Sequence, residues 1–399
     1  MRYFITIVIL MFSNLYGDIL SDTLDKGKEI YVNIKSKGDL IYNRFLKDRE
    51  ENASIRFEKI WSSVRENLIE GVNLYNKREK APDKRYIFGE DKEDITEDIN
   101  RLLDETISIL INKDLVSYQN KIEELNRKIE NKRLQLAEYR ERQIGADDKS
   151  SYNKKIETLK REIDNLDNDI SALKSDLKQK FQDIGIELSN EQIDVLLVRA
   201  DGHDIIQLIL IIETIKQINE QILKLVETSD EDLIQAKRYY GMHMVSLLLV
   251  THTQKLYMDK IKNLYIPKID NIIKKASDMI KETKSLISKE LNDNRLSVYK
   301  ENLKAQDFTK KVALEYRENL LKTIDSINKA YIESKKNLDL AKNTYDTVSL
   351  SSGLYNIINK TQTMFDKINK IQIPQIIPFE NRQIKQKYRE LTKQILIEN

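Results

Sequence analysis

An alternation of three- and four-residue gaps joins Ile156, Leu159, Ile163, Leu166, Ile170, Leu173 and Leu177 without a break. A seam of that period is buried only where long helices lie side by side. Upstream, Ile122, Leu125, Ile129, Leu136 and Tyr139 sit at compatible positions, with Lys132 interrupting. Between the two stretches, Gly145-Ala146-Asp147-Asp148-Lys149-Ser150-Ser151 has the composition of a polar turn. The pattern predicts an antiparallel coiled-coil hairpin over residues 115–184 with its tip near 145–151. Glu123–Arg127, Glu124–Lys128 and Glu138–Arg142 are four-residue pairs in the favourable orientation, each stabilising a solvated arm by about 0.2–0.5 kcal/mol. Such an arm of about thirty residues reaches ~45 Å at 1.5 Å per residue.

The rest of the chain points the same way. Charged residues make up 33%, while glycine and proline number only 10 and 4 in 399 residues, which favours long helices over sheets. The expected fold is all-α, an elongated multi-helix bundle from which the hairpin projects. Residues 18–114 supply an N-terminal helical part, 185–265 apolar central helices, 266–372 long amphipathic or coiled-coil helices, and 373–399 a proline-containing strap with a C-terminal helix.

In the N-terminal part, Ile30, Ile34, Ile41 and Phe45 form one helical stripe; Phe57, Ile60, Val64, Leu68, Val72 and Tyr75 form another. Trp61 adjoins the second as a core-edge anchor. Pro82 and Gly89 break the helix around a Tyr86-Ile87-Phe88 cluster that pins the loop. Asp94 with Glu97 is a plausible capping pair, and from Ile95 the periodicity runs to about Gln143 as one continuous helix. Ser189 and Gln192 make a capping box, and Asp201-Gly202-His203 marks a turn. Residues 205–212 leave only Gln207 polar, as expected of a helix central to a bundle. Ser229 or Asp230 can cap the next helix, whose face includes Ala236, Tyr240, Met244 and Leu247. Pro267 kinks or restarts it. Ile269, Ile273, Ala276, Ile280, Ile287 and Leu291 continue a seam to a turn at Asn292-Asp293-Asn294. The next helix carries Phe308, Val312, Tyr316, Leu320, Ile324, Ile327, Tyr331, Leu338, Ala341, Tyr345 and Val348; from Leu320 onward the three/four alternation marks a second coiled-coil candidate, with Ser334 its polar exception. It ends at residues 349–353; residues 354–371 form a shorter amphipathic segment, and a last helix spans about 381–397.

Residues 1–17 have the form of a signal peptide: Arg2, an apolar run over 3–12, and a polar exit ending in Gly17. The run is well under the ~20 residues of a spanning helix, so the chain is expected to be exported, to a periplasm first and to the outside as the alternative. No cysteine is present, which excludes a disulfide, a thiol nucleophile and a lipid-anchored cysteine. A net charge of +2 with interspersed signs argues against a phosphate-binding face, and Lys310-Lys311 and Lys335-Lys336 read as solvated helix surface.

No phosphate-binding glycine loop, dinucleotide fingerprint, zinc-protease helix or serine-hydrolase elbow occurs. The only histidines, His203, His243 and His252, lack metal-ligand spacing. No catalytic, cofactor-binding or metal residue is therefore nominated. The expected role is that of an exported, non-enzymatic coiled-coil protein, a structural or protein-interaction component of a bacterial cell envelope. It would meet its partner near the hairpin tip or associate with its own copies. In architecture the pattern also resembles α-helical pore-forming toxins, long bundles that store one apolar element. That resemblance carries no family motif; it implies membrane activity, with residues 205–212 and 242–250 as the inserting elements. Adaptors of export machines share the hairpin, but their strand-rich flanks have no counterpart here.

Overall fold

A computed structural model describes residues 60–84, 89–111, 113–146, 149–183, 185–227, 233–350 and 367–397, all within the compact unit Phe57–Asn399. The signal-like start, the Ile30 to Phe45 stripe, Phe57, the Tyr86-Ile87-Phe88 cluster, the caps at Ser229 or Asp230 and residues 351–366 lie outside the described residues. Regular structure among the described residues is entirely helical. The helices are α1 (60–80), α2 (Lys92–Leu110), α3 (Lys113–Ile144), α4 (Lys149–Asp183), α5 (Asn190–Val198), α6 (Gly202–Glu227), α7 (Leu233–Lys260), α8 (Ile266–Lys289), α9 (Asp293–Leu350) and α10 (Arg382–Ile397).

The most apolar stretch takes the centre. Seven of the eight side chains from Ile205 to Ile212 are buried, with Gln207 partly exposed. Burying each such Leu or Ile stabilises the fold by about 1.5–3 kcal/mol. α7 packs on α6, and α9 packs along α7 and α8. Val64 and Leu68 of α1 join the same core as Leu391 and Ile395 of α10, and Trp61 packs at its edge. The backbones approach closely where glycine permits: a Cβ on Gly241 would lie 2.7 Å from Val72 and 3.0 Å from Tyr345.

Several helix ends differ from the sequence expectation. The cap of α2 is Asp91, whose carboxylate accepts from the Glu93 and Asp94 amides while Asp94 accepts from the Asp91 N–H. Asp94 is thus the third residue of that box and not the cap, because Asp91 has the extended backbone a cap requires. The helix expected to run unbroken to Gln143 stops at Ile111, whose extended backbone separates α2 from α3. Ser189 and Gln192 form the reciprocal box at α5 as expected. His203 lies in the first turn of α6 and not in a loop.

The restart expected at Ile266-Pro267 is present: α8 begins at Ile266 with the proline in its first turn. Lacking an N–H, Pro267 cannot bond the carbonyl four residues back. The chain passes it in a π turn, Ile261–Tyr265, in which the Ile266 N–H reaches the Ile261 carbonyl, and the flanking residues keep right-handed helical angles. Leu291 falls outside the expected seam: it caps the α8–α9 turn at 97% exposure. Asn292 starts α9 by accepting from the Arg295 N–H. The strap docks on the body, with Ile371, Pro374 and Ile376 buried and the Ile376 carbonyl held by Gln192 at 3.3 Å.

One core position of α7 conflicts with its surroundings. Gln254 is buried, and neither its amide nitrogen nor its oxygen has a hydrogen-bond partner among the described residues. An unsatisfied buried polar group costs roughly 1–3 kcal/mol. Gln254→Leu, similar in volume, is therefore expected to raise stability by about 1–2 kcal/mol, read as a higher urea midpoint at unchanged slope. A lower midpoint would mean that the carboxamide is satisfied in solution.

Candidate functional site

The turn between α5 and α6 carries a concentration of buried charge. Arg199 ends α5 and grips Asp201 through two parallel bonds, Nε to Oδ1 at 2.8 Å and Nη2 to Oδ2 at 2.6 Å, with both side chains almost fully buried. Nη2 also donates to the Thr323 hydroxyl at 3.1 Å, and the Tyr257 hydroxyl donates to Asp201 at 3.1 Å. The Ala200 N–H donates to the Tyr316 hydroxyl at 2.6 Å, and that oxygen lies 3.0 Å from the Thr392 hydroxyl. Three residues on, Asp204 accepts from Tyr265 at 2.6 Å and from Lys260 at 2.8 Å. Helices α5, α6, α7, α9 and α10 and the π turn thus meet on one turn.

The electrostatics follow from that enclosure. Burial pulls the Arg199 guanidinium down and the Asp201 carboxylate outweighs it, so Arg199 stays charged. Burial, reinforced by Asp201, raises the Tyr257 and Tyr316 phenols; burial, reinforced by Asp204, raises Tyr265. His203 is lowered, chiefly by burial. These phenols are held as neutral hydrogen-bond donors, and the arrangement locks a turn rather than poising a proton.

Two openings flank the turn. A cleft of about 840 Å³ between α9 and the segment 367–377 reaches Arg199. A second, of about 520 Å³, lies between α3 and α10 and reaches Ala200, His203 and Asp204. Neither contains a grouping of three or more His, Asp or Glu fit for a metal, and none exists among the described residues.

No protein family, curated protein or solved structure matches this chain. What it does must be read from its own geometry.

The packed pair α3 and α4 is anchored to this turn. α3 and α4 lie antiparallel: Tyr118 pairs with Asp176, and Lys132 with Glu162 at 2.6 Å. Fourteen residues toward the tip on one arm match fourteen on the other, so the register does not slip. Ile122, Ile129 and Leu136 are buried at seven-residue intervals, as are Ile170 and Leu177. The connection is shorter than expected, since α3 continues to Ile144 and α4 starts at Lys149. Near the tip Tyr139 and Tyr152 meet edge-on with Lys155 beside both rings, and Gln143 bonds Asn153 at 2.6 Å.

At the base, Gln119 donates to the Arg199 carbonyl at 3.2 Å. Lys393 pairs with Glu130, Arg389 reaches Asn126 at 3.3 Å, and Asp194 joins Lys174 of α4 (2.6 Å) to Lys385 of α10. Burial raises Asp194, but the two lysines outweigh it and hold the carboxylate below its ordinary range.

The segments nominated for membrane insertion are both core: 205–212 and 242–250 bury all but Gln207 and Leu248. No helix among the described residues is long and apolar enough to cross a membrane. The three histidines are far apart in role. His252 meets Asp104 at 2.8 Å, His203 meets Gln207, and buried His243 holds Asn219 at 2.7 Å through Nδ1.

Burial pushes His243 down to about 3. An unfolded histidine titrates near 6.5, so as pH falls below that value the unfolded chain takes up a proton that the folded one refuses. The contribution of neutral His243 is therefore present above about pH 6.5 and is lost progressively toward pH 3. His243→Gln is expected to flatten the fall in urea midpoint between about pH 7 and 4. Parallel slopes for the two proteins would place the acid sensitivity elsewhere.

Proposed function

We propose that this protein is a non-catalytic, exported helical scaffold that meets a protein partner of the cell envelope through the distal end of its 115–184 coiled-coil hairpin. One observation carries the reading: the two arms keep register to the tip while their base is tied to the body by α10 and by the Arg199 turn. An arm built this way presents its end at a fixed angle. Two large apolar residues, Leu134 and Ile144, stand outward on it at 69% and 83% exposure, away from the buried seam. Export rests on the signal-like sequence of residues 1–17.

Removing all of residues 121–181 would take Leu177 and Phe181 out of the main core, so a smaller cut is the better test. Replacing residues 137–157 by a short Gly-Ser turn leaves the clamp intact. A photocrosslinking side chain at position 144, introduced in the organism that makes the protein, should yield a discrete adduct. The truncated chain, crosslinked from position 134, should lose it while its urea midpoint changes by no more than the few buried side chains removed. An identical adduct from the truncated protein would sink the proposal.

A further inference from the structure

We propose that the cleft between α9 and the segment 367–377 binds an acidic peptide in extended conformation. It lies outside the hairpin, and residues 137–157 contribute nothing to it, so its test is independent of the hairpin reading. The cleft encloses about 840 Å³, within the range of built ligand sites. Along α9 it runs from Glu318 to Asn337, which at 1.5 Å per residue is ~28 Å. That length suits roughly eight residues of extended chain at ~3.3 Å each better than a compact metabolite.

Carboxamides line this space. Asn337 is 5% exposed, lines the cleft and has no side-chain partner among the described residues. Its amide atoms open onto the cleft, where a ligand can bond them in place of water. On the opposite wall Gln372 and Gln375 are exposed to the same cleft. A carboxamide offers a donor and an acceptor side by side, the complement of a peptide group, and amides on both walls can read a backbone passing between them. Ile371 and Ile377 give the same wall apolar contact.

Charge selects the kind of peptide. On the α9 wall Lys322 pairs with Glu318 at 2.7 Å and Lys329 with Asp325 at 2.6 Å, Glu333 is met by Lys336 at 3.6 Å from outside the cleft, and Arg199 at the floor is held by Asp201. The facing wall carries Lys367 and Lys370 with no carboxylate partner among the described residues. They make this the basic wall of the cleft, the side that an acidic ligand would meet.

The test uses a fluorescein-labelled peptide of repeating Glu-Ala-Gly and its Lys-Ala-Gly counterpart, titrated with the purified protein by anisotropy. The acidic peptide should bind at low salt, at least tenfold more tightly than the basic one. K367E with K370E should weaken it about tenfold or more, and about 1 M salt, where the Debye length shrinks to ~3 Å, should do the same. Ala330→Trp fills the cleft without altering charge and should also abolish binding, with the thermal transition retained in both variants. Binding that survives Ala330→Trp would reduce the effect to surface electrostatics and overturn the proposal. So would equal affinity for the two peptides, or no affinity for either.

Discussion

Arg199→Met is expected to destabilise the protein by about 3–5 kcal/mol, the cost of leaving one member of a buried ion pair without its partner. Asp201 is fully buried, and without the guanidinium its charge would keep only the Tyr257 hydroxyl among its described side-chain partners. The methionine fills much of the space the arginine stem occupied, so the loss reports the stranded carboxylate rather than a cavity. The control is the double variant Arg199→Met with Asp201→Leu. Replacing both members by apolar side chains is often neutral or stabilising, so the double variant should recover most of the loss. Urea midpoints of the three proteins decide the matter. If the double variant is as unstable as the single one, what matters is the bond from Arg199 to Thr323 or the shape of the turn, and not charge balance. The lesion should also reach the hairpin, because Gln119 of α3 holds the Arg199 carbonyl. Faster hydrogen exchange at the base of α3 in the single variant would show that coupling.

The all-helical fold was legible because it rests on periodicity, which survives in a single sequence. The seam positions Ile122, Ile129, Ile170 and Leu177 are buried as their spacing requires. The Ser189 box was readable because it is local, satisfied within four residues. Misreadings arose where a competing local solution existed. Asp91 and Asp94 are both acceptable caps by composition, and only backbone angles choose between them.

The Arg199 turn was missed because its chemistry is assembled from distant residues: Thr323, Tyr257, Tyr316 and Thr392 bear no sequence relation to it. A signal was nonetheless present. Arg199, Asp201 and Asp204 are charges set within the most apolar part of the chain, and charges so placed are stable only when paired. The cleft left no trace at all, since Lys367, Gln372 and Asn337 become neighbours only when the chain returns along α9.

Gly202→Ala is expected to cost about 3 kcal/mol or more, at the upper end of what overpacking does. A Cβ on Gly202 would lie 1.8 Å from the Leu196 carbonyl oxygen and 2.8 Å from its carbon. Both atoms are backbone of α5, capped at one end by Ser189 and ended at the other by the Arg199 N–H bonding the Val195 carbonyl at 3.0 Å. No rotamer change can relieve the clash; α5 or the start of α6 must move. Gly241→Ala is the comparison, because its added carbon meets side-chain atoms of Val72 and Tyr345 at 2.7 and 3.0 Å, which can give way by rotation. It should cost about 1–2 kcal/mol. The expected order, Gly202 well above Gly241, is read from urea midpoints and would be reversed if the α5–α6 turn were the softer of the two. A displaced turn would also carry Arg199, Asp201 and Asp204 away from Thr323, Tyr257 and Lys260. Gly202→Ala should therefore loosen the base of the hairpin without touching a residue of it, and the position 144 adduct should broaden or weaken even in protein that remains folded.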